Sequence, residues 1–196
     1  MIKNIDACRA IEERRGSALV ITTMGAGNAR FGWPQVTRNQ EDDIPVTGAM
    51  GKASSFALGL ALAQPKRRII IMDGDGSLVM NLGTLTTISE KAPPNLYHFV
   101  FENGVYAVTG GQPIPGEGKI NFREMAQGAG YPSAYDFDDL EDLTTNLDMI
   151  FEQKGPILIN LRIVPEIENT PIHLRERPAR NTIAAIKEVK TALSQG

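Results

Sequence analysis

Five consecutive residues, Asp73-Gly74-Asp75-Gly76-Ser77, combine two carboxylates with two glycines. Glycine lets a ligand approach the backbone closely, and a carboxylate offers a hard oxygen to a divalent cation. The segment follows the apolar run Arg68-Ile69-Ile70-Ile71-Met72-Asp73 and precedes a helical pattern. Its expected place is therefore the carboxyl end of a buried strand that opens into a helix, where α/β sheets bind ligands and N–H groups favour a phosphate. Phosphate held together with Mg²⁺ is the local reading, and a tight turn with a capping aspartate is the plain structural alternative. Asn103 ends the next apolar run, Leu96-Tyr97-His98-Phe99-Val100-Phe101, so its amide is expected to face Asp75 across adjacent strand ends. Two more glycine-rich stretches are Thr23-Met24-Gly25-Ala26-Gly27, after an apolar run, and Gly48-Ala49-Met50-Gly51, before a helical pattern. A methionine is usually core filler, but Met50 sits in a glycine-flanked loop suited to approaching a ligand.

The elements that must position these residues alternate. Ile5, Cys8 and Ile11 predict an N-terminal helix ended by Gly16, and Ala18 to Thr23 a buried strand. A helix over Gly51 to Gln64 leads to the strand before Gly74. One helix from Leu78 to Lys91, stopped by Pro93-Pro94, leads to the strand before Asn103. Beyond the glycine- and proline-rich stretch from Gly104 to Gly118 come a short helix near Phe122 to Gln127 and a strand near Ala134 to Phe137. Asp138 and Asp139 can cap a helix to Gln153, a last strand runs from Pro156 to Val164, and a closing helix spans Asn181 to Ser194, suited to docking on a neighbour. This order predicts a doubly wound α/β fold, a mainly parallel sheet with helices on both faces.

Set against a prior of roughly 150 residues per domain, 196 residues predict one domain over residues 1–196, with a polar tail and helix from about residue 165. Lys and Arg number 20 against 23 Asp and Glu, a net charge of −3, which supplies no field for nucleic acid or an anionic membrane. The single cysteine, Cys8, excludes a disulfide framework or an all-cysteine metal cluster from this chain alone. No apolar leader opens the chain, and its most apolar run, Phe56 to Ala63, is far short of the roughly 20 residues a membrane span needs. A cytoplasmic location is expected.

Gly74-Asp75-Gly76 followed at the next strand end by Asn103 resembles the signature of the thiamin diphosphate enzymes. The resemblance covers Ala18 to about Val164 and implies the thiamin diphosphate-binding fold. It implies Mg²⁺ held by Asp75, Asn103 and the carbonyl of Val105, with the ion holding the cofactor diphosphate. It also implies that Met50 props the cofactor into a V shape while the Gly48 carbonyl accepts a hydrogen bond from the pyrimidine 4′-amino group. Further cofactor contacts fall on Thr23, Gly25, Ala26, Gly74, Gly76, Ser77 and Tyr106. Asn103-Gly104-Val105-Tyr106 with Thr109-Gly110-Gly111-Gln112-Pro113 is most similar to the sulfopyruvate and phosphonopyruvate decarboxylase branch. Full-length members carry a pyrimidine-binding domain whose glutamate activates the cofactor, and the chain has no stretch resembling it. It therefore resembles the β subunit of a split decarboxylase. A separate pyrimidine-domain α subunit would supply that glutamate in a hetero-oligomer acting on a small 2-oxo acid. An acetolactate synthase-like carboligase subunit is the alternative within the same family.

Asp73-Gly74-Asp75-Gly76-Ser77 also matches the motif of haloacid-dehalogenase-like phosphatases, with Asp73 as nucleophile and Asp75 as general acid/base. That reading needs a Ser or Thr where Phe101-Glu102-Asn103 stands. Gly25-Ala26-Gly27 makes only a weak dinucleotide fingerprint, because Arg30 occupies its third glycine position. His98 reads as a core histidine. His173, Arg123, Arg175 and Arg177 are candidates for meeting a neighbouring subunit or an anionic substrate, with solvated surface charge the plainer reading.

Overall fold

A computed structural model describes residues 1–28, 30–175 and 180–195. Among the described residues eight strands form: β1 (Leu19–Thr22), β2 (Asp43–Pro45), β3 (Ile69–Gly74), β4 (Leu96–Glu102), β5 (Val105–Tyr106), β6 (Gln112–Pro113), β7 (Ser133–Phe137) and β8 (Ile157–Arg162). Seven α-helices are described: α1 (Asn4–Glu12), α2 (Ala53–Ala63), α3 (Asp75–Val79), α4 (Thr84–Lys91), α5 (Phe122–Ala129), α6 (Leu140–Glu152) and α7 (Thr182–Gln195). Six strands make one wholly parallel sheet in the order β2-β1-β3-β4-β8-β7, and β5 and β6 form a small antiparallel ribbon.

The central strands are apolar on both faces, as a sheet covered twice requires. Val20, Ile70, Met72, Phe99 and Ile159 face α1 and α6, whereas Leu19, Ile21, Ile71, Val100 and Leu158 face α2, α4 and α5. The doubly wound expectation holds. No described helix is long and apolar enough to cross a membrane.

The short strands β2, β5 and β6 are not expected from the sequence, and three further details differ from that reading. The single helix expected over Leu78 to Lys91 is two, because α3 stops after Val79 and the chain turns through Met80–Gly83 before α4. There the Asn81 amide leaves the helix path to donate to the Gly51 carbonyl at 2.9 Å. Of the two capping aspartates proposed for α6, Asp139 makes the cap, accepting from the Glu141 and Asp142 N–H groups. Finally, α7, expected as a helix suited to docking on a neighbour, packs on this chain's own edge strand. Its Ala185 and Val189 are buried, and the Thr182 hydroxyl donates to the Pro45 carbonyl at 2.6 Å.

Candidate functional site

The site forms where the sheet changes winding direction. From β1 the chain passes outward to β2, whereas from β3 it passes to β4 on the opposite side. The loops leaving β1 and β3 therefore diverge, opening a crevice at the carboxyl ends of two neighbouring strands. The cleft found there is lined by Thr23–Gly25 from the β1 loop, Gly74–Ser77 from the start of α3, and Asn103 with Val105–Thr109 from the loop after β4; Val46 and Met50 form its remaining wall.

Four ties hold these segments in register. The Thr23 hydroxyl donates to the Met72 carbonyl at 3.3 Å and accepts the Gly74 N–H at 3.0 Å, joining the ends of β1 and β3. Ser77 Oγ accepts the Gly51 N–H at 3.0 Å, holding the Gly48–Gly51 loop against α3. Asp75 ties α3 to the loop after β4. The fourth tie is packing: a Cβ added at Gly76 would lie 2.6 Å from Tyr106 Cε1, so only glycine lets the Tyr106 ring rest on the helix start.

Asp75 is almost fully buried. Its Oδ1 accepts the Gly76 N–H at 2.7 Å, and its Oδ2 accepts the N–H groups of Asn103 at 2.9 Å and Gly104 at 2.6 Å. Asn103 Oδ1 accepts the Val105 N–H at 2.9 Å. Burial pushes the Asp75 carboxyl up to about 6, against the three backbone N–H groups that favour its charged form. A carboxylate has about four lone-pair directions and an amide oxygen two, so both side chains retain capacity for a cation. Their hard oxygens suit Mg²⁺. At Gly25 a Cβ would meet nothing within 4 Å, leaving room for a ligand beside the backbone. The donor set and the glycine-floored cleft fit a metal-bound diphosphate.

Of the residues named from sequence, Thr23, Gly25, Met50, Gly74, Asp75, Gly76, Ser77, Asn103, Val105 and Tyr106 line this cleft, and Ala26 and Gly48 do not. Ala26 is fully buried in the core beneath, its carbonyl accepting the Trp33 N–H at 2.6 Å. Gly48 is exposed in the neighbouring loop. Thr23 reaches the cleft, but its hydroxyl is engaged between two strands. Missing from the sequence reading were Met24, Val46 and the turn Ala107–Thr109. Nothing in their residue types marks them, since their place comes from the path of the loops.

The phosphatase geometry does not form. Asp73 is 0% exposed and points away from the cleft into the core, where its Oδ2 lies 3.6 Å from Nε2 of the equally buried His98. A nucleophile there has no access to substrate. Arg175 does not project toward a substrate either, because its guanidinium binds backbone carbonyls. His173 and Arg123 are exposed, and Arg177 lies outside the described residues.

A doubly wound parallel sheet with a phosphate- and cation-suited cleft at its switch point defines a nucleotide- or diphosphate-binding α/β domain. The family model for the thiamine pyrophosphate enzyme C-terminal TPP binding domain matches residues 22–161, and the chain belongs to that family. Phosphonopyruvate decarboxylase from Streptomyces hygroscopicus is 35% identical over 80% of this chain, which spans 38% of that protein's length. Sulfopyruvate decarboxylase subunit beta from Methanothermobacter thermautotrophicus is 31% identical over 88% of both chains. Among solved structures, the thiamine diphosphate-dependent 4-hydroxybenzoylformate decarboxylase of Rhodococcus jostii superposes with a TM-score of 0.69 at 20% identity, over 86% of this chain and 33% of that one. That likeness is one of fold.

Proposed function

We propose that this chain is the diphosphate-binding subunit of a thiamin diphosphate- and Mg²⁺-dependent 2-oxo acid decarboxylase, working with a separate pyrimidine-domain subunit. The observation that carries the proposal is the pairing of Asp75 with the Asn103 loop across the ends of β3 and β4, the two residues to which the sequence resemblance assigns the cation. Relatives coextensive with this chain are named as beta subunits of sulfopyruvate decarboxylase, which supports a two-subunit enzyme. The longer phosphonopyruvate decarboxylases support the same chemistry.

Asp75, Asn103 and the Val105 carbonyl would hold the cation. Among the described residues no three His, Cys, Asp or Glu side chains converge to hold a metal unaided. This fits a Mg²⁺ that draws its other ligands from phosphate and water. Backbone groups around Gly25 and Gly74–Ser77 would cradle the diphosphate. Met50, on the opposite wall, would support the face of the cofactor and help exclude water. When bound, thiamin diphosphate supplies the sink for the electron pair released as CO₂ departs. Activation of its reactive carbon is assigned to a carboxylate of the partner, and the substrate's tail is assigned to the pocket the two subunits share.

The test is reconstitution. The chain alone is expected to be silent, and the chain mixed with its partner to decarboxylate sulfopyruvate or phosphonopyruvate with thiamin diphosphate and Mg²⁺. In the complex the cofactor should stabilise by about 2.7 kcal/mol at 100 Kd, and both EDTA and Asp75→Ala should abolish the gain. Turnover by the chain alone would defeat the two-subunit reading, and cofactor stabilisation that survives EDTA would defeat the metal assignment.

A further inference from the structure

Beyond β8 the chain returns to the cofactor cleft and touches both of its walls. Ile163, Val164 and Glu166 line a small hollow that shares Gly25, Gly74, Asn103, Ala107 and Val108 with the cleft. Ile167 lies over Gly111 so closely that a Cβ there would come 2.6 Å from its Cδ1. Glu168 donates its N–H to the Ala107 carbonyl at 2.9 Å. The Arg175 guanidinium holds three carbonyls in two segments: Val108 at 2.8 Å in the turn, and Thr170 at 2.6 Å and Glu168 at 3.3 Å in its own stretch. The Glu168 carboxylate accepts the Thr170 N–H at 2.8 Å and lies 3.5 Å from Arg30, in the loop that follows Gly25.

We propose that Arg175 and Glu168 are positioning residues of the cofactor site, clamping the Ala107–Thr109 turn so that its wall of the cleft is formed before the cofactor binds. This inference rests on the cofactor reading above. The turn needs an external clamp because its own chain holds it weakly. Gly104, Gly110 and Gly111 all have positive φ, and glycines lose the most conformational freedom on ordering. The adjoining ribbon is two residue pairs long, Val105 with Pro113 and Tyr106 with Gln112, and the local bonds Gly111 N–H to the Tyr106 carbonyl, Ile114 N–H to the Gly104 carbonyl and Thr109 hydroxyl to Tyr106 and Gln112 tie the loop to itself without fixing it against the rest of the domain. A planar fork of five donors can hold three carbonyls at once, which a lysine ammonium on a flexible stem does not reproduce. The Arg30–Glu168 pair contributes less, since Arg30 is largely exposed. Ordering the turn in advance removes that cost from binding.

The test compares wild type, Arg175→Ala, Arg175→Lys and Glu168→Gln. Two quantities are measured: amide hydrogen exchange of the chain without cofactor, and the Kd for thiamin diphosphate with Mg²⁺ in the assembled complex by calorimetry. Both Arg175 variants should speed exchange in residues 104–113 by tenfold or more, leave α6 within twofold of wild type, and raise Kd about tenfold. Glu168→Gln, which keeps its backbone N–H on Ala107, should have the smaller effect. Arg175→Lys carries the test if the alanine variant does not fold. Unchanged exchange in residues 104–113 overturns the clamp, and faster exchange with Kd within twofold of wild type overturns its role in binding; in both cases the proposed function stands. A wild-type complex that does not bind thiamin diphosphate defeats that function and this inference with it.

Discussion

Gly76 carries the sharpest constraint at the scale of the single residue. An added methyl group would meet Tyr106 Cε1 at 2.6 Å and Ile114 Cγ2 at 3.0 Å, so Gly76→Ala must push the Tyr106 loop off α3. Overpacking of this kind costs about 1–3 kcal/mol. In a Tyr106→Ala background most of that cost should vanish, because the obstructing ring is gone and the two changes are coupled. Urea unfolding of the four proteins in this cycle measures it, and equal costs in both backgrounds would show that the methyl group is accommodated elsewhere. Met50 makes the complementary case. It is half-buried beside the cleft, next to Gly51 at φ 73°. Met50→Ala should cost well under the roughly 2–5 kcal/mol of a core methionine, while turnover of the assembled enzyme falls at least tenfold. A stability loss in the core range with turnover per folded molecule preserved would return Met50 to a packing role. Asp75 and Asn103 were legible in the sequence because their types and strand-end positions are local. The tie made by the Thr23 hydroxyl was not, since its partners lie on β3.

Among the elements, the edge strand β2 is the one that packing alone accounts for. Only three residues long, it has too little periodicity to stand out in sequence, and it pairs solely with β1 among the described strands. A buried charge cluster pins it: Arg15 lies 3.0 Å from the Asp43 carboxylate and 3.4 Å from Glu12, and its guanidinium sits 5.2 Å from the Trp33 ring centre. Burial raises the Asp43 pKa, and Arg15 pulls it back down. Arg15→Met would strand two buried carboxylates and is expected to cost about 3–5 kcal/mol, read as a fall in the chemical denaturation midpoint. A loss below about 1 kcal/mol would mean that water reaches Glu12 and Asp43. The split of the expected long helix into α3 and α4 has a similar tertiary origin, because Asn81 is drawn to Gly51 on another loop.

On the scale of the whole molecule, the C-terminal segment completes the sheet and braces the site. Helix α7 covers β2, with Arg180 donating to the Asp43 carbonyl at 2.6 Å and Thr182 to Pro45. Ending the chain before Arg180 would uncover Ile44 and Val46 along with an edge strand. Losing the burial of Ala185 and Val189 together with these contacts should lower stability by about 2–3 kcal/mol, and the bared edge should promote self-association. Denaturant titration and light scattering on the shortened chain check both effects; an unchanged midpoint would show that α7 is dispensable to the sheet. Met80, 61% exposed just beyond α3, is an apolar group beside the site well placed for the proposed partner subunit to cover.

The sequence by itself determined the alternation of strands and helices, the doubly wound class, and the pairing of Asp75 with Asn103. Each depends on local pattern, namely apolar runs of strand length, helical spacing, and ligand-type residues at strand ends. Only the tertiary structure decided that β1 and β3 flank the switch point, that Asp73 turns inward to His98 while Asp75 faces the cleft, and that Ala26 belongs to the core. Only it, too, decided that Arg175 grips a turn sixty-odd residues earlier in the chain. These outcomes depend on strand order and on which face of the sheet a side chain meets. Both are settled by burial against elements far away in the chain, and no short stretch of sequence encodes that burial.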